Sequence, residues 1–284
     1  MKDQAEKLRD MVNNQKGLSR IIAVTSGKGG VGKTNIAVNL SLGLCQQGYR
    51  VALIDVDMGL ANADIILGIA PKYNLGHVFR GERLLKDIIV EGPLGIKLIA
   101  GGSGVTDLAN LTGWRLDVFI KSLEELNKEF DFIILDTGAG IHRNVLSFVL
   151  ATHEILVVTT PEPTAVTDVY GLLKVLHQHN PEAKVRLVVN MVKNPNEAEM
   201  VAEKLNAVLK EFVQWEIDYA GYILYESQIS KAVSDQQPVI LAFPSSMASR
   251  SFKRLANTIS GENAQSESTG IKGFFSKVYE FLHI

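Results

Sequence analysis

The chain has 284 residues, of which 46% are apolar and 21% charged, and its formal net charge is −2. This balance predicts a folded chain with a large core and excludes an overall basic character suited to nucleic acid. The lone Cys45 excludes a disulfide framework within the chain. No apolar run reaches the ~20 residues of a membrane span, and the charged first residues are unlike a signal peptide. We therefore expect a cytoplasmic protein.

The first 18 residues are charged and contain few apolar side chains. Ala5, Leu8 and Val12 fall at helical spacing, which suits a short helix that becomes ordered on a partner's surface. A frayed, solvated terminus has the same composition, so these residues alone leave both interpretations open.

Residues 27–35 read GKGGVGKTN and lie between an apolar strand-like run and a helix-like one. They fit the phosphate-binding loop, in which glycines let backbone N–H groups point at phosphate oxygens beside a helix N-terminus. Lys33 is expected to reach the β- and γ-phosphates, and the Thr34 hydroxyl to ligate Mg²⁺. The sequence thus predicts a nucleoside triphosphate site formed by Gly27, Lys28, Gly29, Gly30, Val31, Gly32, Lys33, Thr34 and Asn35.

Short β-branched runs alternate with helix-like stretches along most of the chain. Near-continuous apolar strands indicate burial on both faces, and the helical stretches are long enough for crossover connections. We predict an α/β fold over residues 19–259, with a mostly parallel sheet sandwiched by helices. The predicted strands are IIAVTS, RVALIDVD, IKLIAGG, FDFIILDTG, EILVVTTP, KVRLVVNMV and YAGYIL. The predicted helices are residues 36–45, 114–130, 144–152, 166–178 and 197–212.

Three aspartates stand where predicted strands end: Asp55, Asp57 and Asp136. Ligands of parallel sheets bind at the carboxyl ends of the strands, so these side chains should cluster around the phosphate loop. A single strand-terminal aspartate can instead cap the next helix, but three around one loop favour a metal site. We predict that Asp136 binds Mg²⁺ and that Asp57 orients the attacking water. Asp55 is expected in the second coordination shell of the metal.

The last 25 residues predict a linker followed by an amphipathic helix. Residues 260–270 are small and polar, as in a flexible linker, and residues 271–284 place apolar side chains on one helical face. A helix docked on the core shows the same pattern, but the linker and three phenylalanines favour a helix lying in the membrane interface. The predicted membrane-facing residues are Ile271, Phe274, Phe275, Val278, Phe281 and Leu282.

The motifs KGGVGKT, DVDMGLAN and DTGAGI resemble those of the deviant Walker A ATPases of the MinD/ParA class. The resemblance implies that ATP and Mg²⁺ lie between the two protomers of a homodimer, with Lys28 reaching the triphosphate of the second subunit. Lys28, Lys33 and Asp57 would then be the catalytic residues, although Lys28 read alone could be a solvated loop charge. Asn190 resembles the adenine-contacting asparagine of the class, whereas Leu224 stands where the class usually has proline.

Asp3, Gln4 and Ala5, followed by Leu8 and Arg9, resemble the N-terminal motif of the FlhG family of flagellar regulators, also called YlxH or FleN. With the ATPase core and the tail helix, this resemblance covers nearly the whole chain. It implies a switch between a soluble monomer and an ATP-bound homodimer at the inner face of the cell membrane, which regulates the number and placement of flagella. The N-terminal motif would stimulate an FlhF-type GTPase, and flagellar C-ring components would be further partners.

Two other functions share these motifs: a cell-division ATPase of the MinD type and a DNA-segregation ATPase of the ParA type. The ParA type would need a basic surface patch, and the net charge gives no reason to expect a nucleic-acid partner. A reductase like the nitrogenase iron protein shares the loop, but this chain lacks the cysteines for its cluster.

Overall fold

The computed structural model describes residues 19–57, 62–102, 129–261 and 270–283. Their centre is an eight-stranded sheet in the order β3-β4-β2-β5-β1-β6-β7-β8. Neighbouring strands are parallel except for β3, which pairs antiparallel with β4 at one edge. The strands are β1 (Arg20–Ser26), β2 (Val51–Asp55), β3 (Ile89–Glu91), β4 (Lys97–Ala100), β5 (Phe132–Ala139), β6 (Glu154–Thr159), β7 (Lys184–Val192) and β8 (Asp218–Leu224).

Helices cover both faces of this sheet. They are α1 (Lys33–Gln46), α2 (Ala63–Leu67), α3 (Leu75–Phe79), α4 (Arg143–Ala151), α5 (Pro163–His179), α6 (Pro195–Phe212), α7 (Ser227–Ser234), α8 (Val239–Ala242), α9 (Met247–Ser260) and α10 (Gly270–His283). Two short 3₁₀ helices, Leu85–Ile88 and Pro93–Gly95, flank β3. Helices α1 and α9 pack on one face, whereas α4, α5, α6 and α10 pack on the other.

Burial on both faces explains why the strands are almost wholly apolar. Ile22 and Val24 of β1 belong to the core cluster that contains α1 and α9, whereas Ile21 and Ala23 belong to clusters on the opposite face. Alternate residues of one strand therefore pack against different helix layers. The prediction of a mostly parallel sheet sandwiched by helices is confirmed.

The predicted elements agree with the observed ones, and the differences lie mainly at their ends. Helices α5 and α6 begin earlier than predicted because each has a proline in its first turn, a position that needs no N–H donor. The three-residue edge strand β3 and the helices α2, α3, α7, α8 and α9 were not predicted. The predicted helix at residues 114–130 lies, except for its last two residues, outside the described part of the chain.

The tail helix α10 packs on the α/β body, residues 19–261, beside α4. Phe274, Phe275 and Val278 are buried, and the Phe274 ring lies 6.0 Å from the ring of Phe148 in α4. Phe281 is half-buried. The structure therefore shows the core-docked arrangement, in which the same apolar stripe fits a groove on the body.

Membrane binding by this helix stays a prediction. The side chains of Ile271 and Leu282 lie outside the described residues. Within the described ranges, no helix is long and apolar enough to cross a membrane.

Candidate nucleotide site

The predicted site residues meet at the carboxyl ends of the central strands. Strand β5 lies between β1 and β2, so Asp136 is paired with Asp55 on one side and with Val24 on the other. The phosphate loop follows β1 directly and leads into α1, which begins at Lys33. The parallel sheet thus brings together residues that are far apart in sequence.

Two glycines of the loop are required by close approach to neighbouring elements. A Cβ on Gly27 would lie 2.3 Å from the backbone carbonyl of Asp168 in α5, and one on Gly32 would lie 2.4 Å from the side-chain nitrogen of Asn190 in β7. Gly32 also has φ +89°, in the left-handed region that favours glycine. The loop backbone is therefore held closely between α5 and β7.

Lys33 and Asp136 form the buried charged centre of the site. Lys33 is 8% exposed and Asp136 is 1% exposed. Burial raises the pKa of Asp136 to about 7, with the neighbouring Asp55 as the next cause, although the Thr34 hydroxyl and Lys33 oppose the shift. Burial likewise lowers the pKa of Lys33, against the attraction of Asp136 and Asp57.

These residues fit a magnesium–nucleotide complex. Thr34 lies close enough to influence Asp136, yet neither carboxylate oxygen has a hydrogen bond of ordinary geometry to any residue that the structure describes. A buried carboxylate without hydrogen-bond partners is rare unless a ligand or an ion binds to it. Mg²⁺ typically takes one or two protein carboxylates, phosphate oxygens and waters. Thr34 and Asp136 are the residues that would hold the ion, and the phosphates would neutralise Lys33.

Asp55 organises the segment that carries Asp57. One of its carboxylate oxygens accepts the backbone N–H of Asp57 at 3.1 Å, and the other accepts those of Asn62 at 3.1 Å and Ala63 at 3.2 Å. Burial raises the pKa of Asp55 to about 6, and these backbone donors oppose the shift. Asp55 therefore links Asp57 to the start of α2 by hydrogen bonds. Its predicted role at the metal stays a prediction.

Asp57 lies over Gly138 of β5, next to helix α4. A Cβ on Gly138 would be 3.5 Å from Oδ1 of Asp57 and 3.3 Å from Val145 of α4. A cavity of about 350 Å³ opens here and has Asp57, Gly138, Val145 and Phe148 in its walls. There is space for water beside Asp57, as its predicted role in orienting the nucleophile requires.

Lys28 is paired within its own chain. Its Nζ donates to Oε1 of Glu162 and to Oγ1 of Thr164, both at 2.9 Å, at the start of α5. Glu162 is more than half exposed, so this ion pair contributes little to stability and is readily exchanged. The hydrogen bond from Lys28 nevertheless holds the pKa of Glu162 below its usual range. The predicted contact with a second subunit requires Lys28 to leave this pair.

A small cavity of about 60 Å³ beside Gly32 is the candidate base pocket. Asn190 lines it, donates its amide to the Val31 carbonyl at 2.7 Å, and accepts the Met191 N–H at 2.9 Å. Met191, which sequence reasoning missed, and Tyr225, the residue after Leu224, also line this cavity and are 41% and 67% exposed. Met191 is an exposed residue within the apolar strand β7, so the strand pattern gave no sign of its place in the pocket.

The predicted nucleotide contact of Leu224 stays a prediction. Leu224 packs against the core cluster beneath α5 and α6 and is not among the residues that line the cavity. Because successive side chains of an extended segment point in opposite directions, the next residue, Tyr225, reaches the pocket instead. The predicted partner-activating residues Asp3, Gln4, Ala5, Leu8 and Arg9 lie outside the described residues, and their role stays a prediction.

Together the fold and the site define a P-loop NTPase. The ParA family model, described as NUBPL iron-transfer P-loop NTPase, matches residues 17–260. The chain therefore belongs to the ParA/MinD family of P-loop NTPases, and its predicted enzyme class, a P-loop ATPase, is confirmed.

Individual relatives make the resemblance more specific. The chain is 40% identical to the antiactivator FleN of Pseudomonas aeruginosa, over 84% of this chain and 86% of FleN. It is 34% identical to the flagellum site-determining protein YlxH of Helicobacter pylori, over 99% of this chain and 100% of YlxH. The crystal structure of the cell division ATPase MinD of Pyrococcus furiosus matches with a TM-score of 0.70 and 26% identity, over 85% of this chain and 98% of that one. The predicted resemblance to the FleN and YlxH group is confirmed.

Proposed function

We propose that this protein is an ATP-driven switch that regulates the number and placement of flagella. It alternates between a monomer with a docked tail and an ATP-bound homodimer at the inner face of the cell membrane. On dimerisation, Lys28 of each protomer leaves Glu162 and reaches the partner's triphosphate, and the tail helices are released toward the membrane. Hydrolysis returns the monomer. The name of the YlxH relative supports the flagellar role.

The observation that carries this proposal is the position of α4 between the nucleotide site and the tail. Val145 of α4 lines the cavity that contains Asp57, and Phe148 of the same helix contacts Phe274 of the docked tail. A movement of Asp57 or Gly138 on nucleotide binding would reach the tail through one short helix. Coupling between two sites requires such an element whose position both sites influence.

Asp57 is proposed to hold and orient the attacking water, with the Mg²⁺ at Thr34 and Asp136 stabilising the phosphate charge when it is bound. We expect Asp57→Ala to bind ATP and accumulate as a dimer while hydrolysing it slowly. Equilibrium nucleotide binding, sedimentation and phosphate release measure the three steps separately. Loss of nucleotide binding in this variant would instead give Asp57 a structural or metal-binding role.

The membrane step is tested with vesicles. Full burial of an apolar side chain contributes roughly 1.5–3 kcal/mol, but partial insertion and helix ordering reduce the gain from one tail severely. Two tails in a dimer bind far more tightly through effective concentration. Full-length protein should therefore sediment with vesicles only when a non-hydrolysable ATP analogue is present.

Phe275→Glu should abolish this binding, because it places a charge on the apolar face. Phe212→Glu is the matched control, since Phe212 of α6 is 68% exposed and lies outside the tail. Equal vesicle binding by the nucleotide-free and analogue-bound protein would show that the tail is not coupled to ATP.

The FlhF-type GTPase is the proposed partner of the N-terminal segment, and flagellar C-ring components are proposed as further partners. Gln4 has an uncharged amide that could orient a water at a GTPase site, with Leu8 as the apolar anchor. Arg9 or Asp3 would fix the register of the bound segment through charge.

A peptide of residues 1–17 should raise GTP hydrolysis by the partner without the ATPase domain. Gln4→Ala should abolish this stimulation and leave ATP hydrolysis by the full chain unchanged. Equal stimulation by a chain that lacks residues 1–17 would exclude this role. Because MinD of Pyrococcus furiosus has the same fold, deletion of the gene should also be scored for flagellar number against cell-division defects.

A further inference from the structure

A second groove lies between the docked tail and the ATPase body, separate from the cavity at Asp57. Its volume is about 810 Å³, within the range of roughly 300–1,000 Å³ typical of small-molecule sites. The body contributes residues in and just before α4 and at the end of α5, and α10 contributes two. The lining residues are Ile141, Arg143, Leu146, Leu150, His179, Asn180, Lys277 and Phe281.

The groove combines apolar walls with cationic groups. Leu146, Leu150 and Phe281 supply apolar surface, while Arg143 and Lys277 supply fixed positive charge. None of the described residues that line it carries a carboxylate. This lining complements an amphiphile with an anionic head, because the head pairs with the two cations and the apolar part covers the leucines.

Arg143 also attaches the tail to the body. Its guanidinium donates to the backbone carbonyl of Phe281 at 3.0 Å. That carbonyl lies in the last turn of α10, where helix carbonyls lack intrahelical partners. A phosphate oxygen is a stronger acceptor for arginine than a neutral carbonyl, so an anionic head in the groove would compete with Phe281 for Arg143.

We propose that this groove binds the phosphate head and the first acyl carbons of an anionic phospholipid while the tail is still docked. Arg143 then exchanges the Phe281 carbonyl for the lipid phosphate, which loosens the last turn of the tail, and it keeps this phosphate once the tail has left the groove. This inference rests on the proposed membrane function and adds to it a lipid site on the ATPase body. A phospholipid is chosen over free phosphate because apolar side chains form much of the wall beside the two cations.

Arg143 makes the proposal testable because it lies outside the tail. Simple partitioning of a released tail into a membrane does not depend on the charge of this residue. In contrast, Lys277 lies on the tail and would interact with an anionic membrane whether or not the groove binds a lipid. Its substitution would therefore not distinguish a lipid site on the body from simple partitioning of the tail.

The first experiment compares vesicles of phosphatidylcholine with vesicles that also contain phosphatidylglycerol, using full-length protein and a non-hydrolysable ATP analogue. We expect the wild type to prefer the anionic vesicles and Arg143→Gln to lower that preference about tenfold, the effect of one charge-assisted hydrogen bond. Arg250→Gln, a change at an exposed arginine of α9, should leave it unchanged. If Arg143 only clamps the tail, Arg143→Gln will raise binding to both kinds of vesicle equally, and the proposal is wrong.

The second experiment needs no membrane. Monomeric dihexanoyl phosphatidylglycerol should bind the nucleotide-free full-length protein in calorimetry, and Arg143→Gln should abolish binding. The matching phosphatidylcholine should not bind. Absence of any binding overturns the proposal, and displacement by inorganic phosphate at matched ionic strength would mean that the site binds phosphate and not lipid.

The two experiments also separate this inference from the proposed function. ATP-dependent vesicle binding that does not respond to Arg143→Gln would support the membrane switch and reject the lipid site. Binding of the short-chain lipid by a protein that never binds vesicles would support the lipid site and reject the membrane switch.

Discussion

Lys28 and Lys33 carry the same charge in the same loop, but their surroundings differ. Lys33 is buried at the start of α1 near Asp136, whereas Lys28 is exposed and paired with Glu162. A buried charge needs a compensating partner, so Lys33 depends on the charge of the bound nucleotide. An exposed ion pair is weak and exchanges easily, so Lys28 is available for the proposed contact with a second protomer.

This difference gives a paired prediction. Lys33→Ala should abolish nucleotide binding, because it removes the charge that meets the phosphates. Lys28→Ala should leave binding by the monomer largely intact and lose ATP-dependent dimerisation. Fluorescent-nucleotide titration and sedimentation with a non-hydrolysable analogue measure the two properties. Normal dimerisation of the Lys28 variant would show that this lysine has no role between subunits.

Asp136 gives a prediction about pH. Burial raises its pKa to about 7, whereas an aspartate in an unfolded chain titrates near pH ~4. Between these values the folded protein binds a proton that the unfolded chain has released, so the free energy of unfolding falls as pH rises and levels off above about 7. Asp136→Asn should flatten this slope and stabilise the nucleotide-free protein by on the order of 1 kcal/mol at pH 8. Urea denaturation across this pH range checks both effects, and an unchanged slope would mean that Asp136 is not the group responsible.

At the scale of elements, the interior glycines Gly43 of α1 and Gly171 of α5 differ in their surroundings. In α1, a Cβ on Gly43 would lie 2.9 Å from the Cβ of Ala256 in α9. In α5, a Cβ on Gly171 would have no neighbour within 4 Å among the described residues. Close helix packing therefore requires glycine at position 43 and does not require it at position 171.

The two alanine substitutions should change stability in opposite directions. Gly171→Ala should raise the free energy of unfolding by roughly 0.5–1 kcal/mol, because alanine loses less backbone entropy in a helix. Gly43→Ala should lower it by about 1 kcal/mol or more, because α9 must shift away from α1. Urea unfolding of both variants, with nucleotide absent, measures the difference. A stabilised Gly43→Ala protein would show that the α1–α9 contact has room for a methyl group.

The strands and motifs that the sequence predicted are those whose apolar or glycine pattern lies within a few consecutive residues. The central strands show continuous apolar runs because both faces are buried, and the loop glycines and Asp136 follow from phosphate chemistry. The three-residue strand β3 and the pocket residue Met191 depend on neighbours that no local pattern reveals. The docked position of α10 was ambiguous for the same reason, since an apolar stripe fits a membrane and a protein groove equally well.

At the scale of the whole molecule, the tail and the nucleotide site share α4. Phe148 and Arg143 of this helix hold α10 at two points, while Val145 faces the cavity beside Asp57. The buried residues Phe274, Phe275 and Val278 make docking favourable without nucleotide, because their apolar surface is removed from water. The proposed release would therefore need a dimer that disturbs α4 or a membrane that offers the tail another apolar environment.

Hydrogen exchange can measure this release directly in the full-length protein. In the nucleotide-free state, the backbone amides of α10 (Gly270–His283) should be protected, because the helix is docked. A non-hydrolysable ATP analogue should reduce this protection in the wild type and leave it unchanged in Lys28→Ala, which binds nucleotide but should not dimerise. Helix α9 (Met247–Ser260) serves as the internal control, because it is buried in the core and should remain protected in both proteins. If α10 stays equally protected in a wild-type dimer, dimerisation does not release the tail, and the membrane must do so alone.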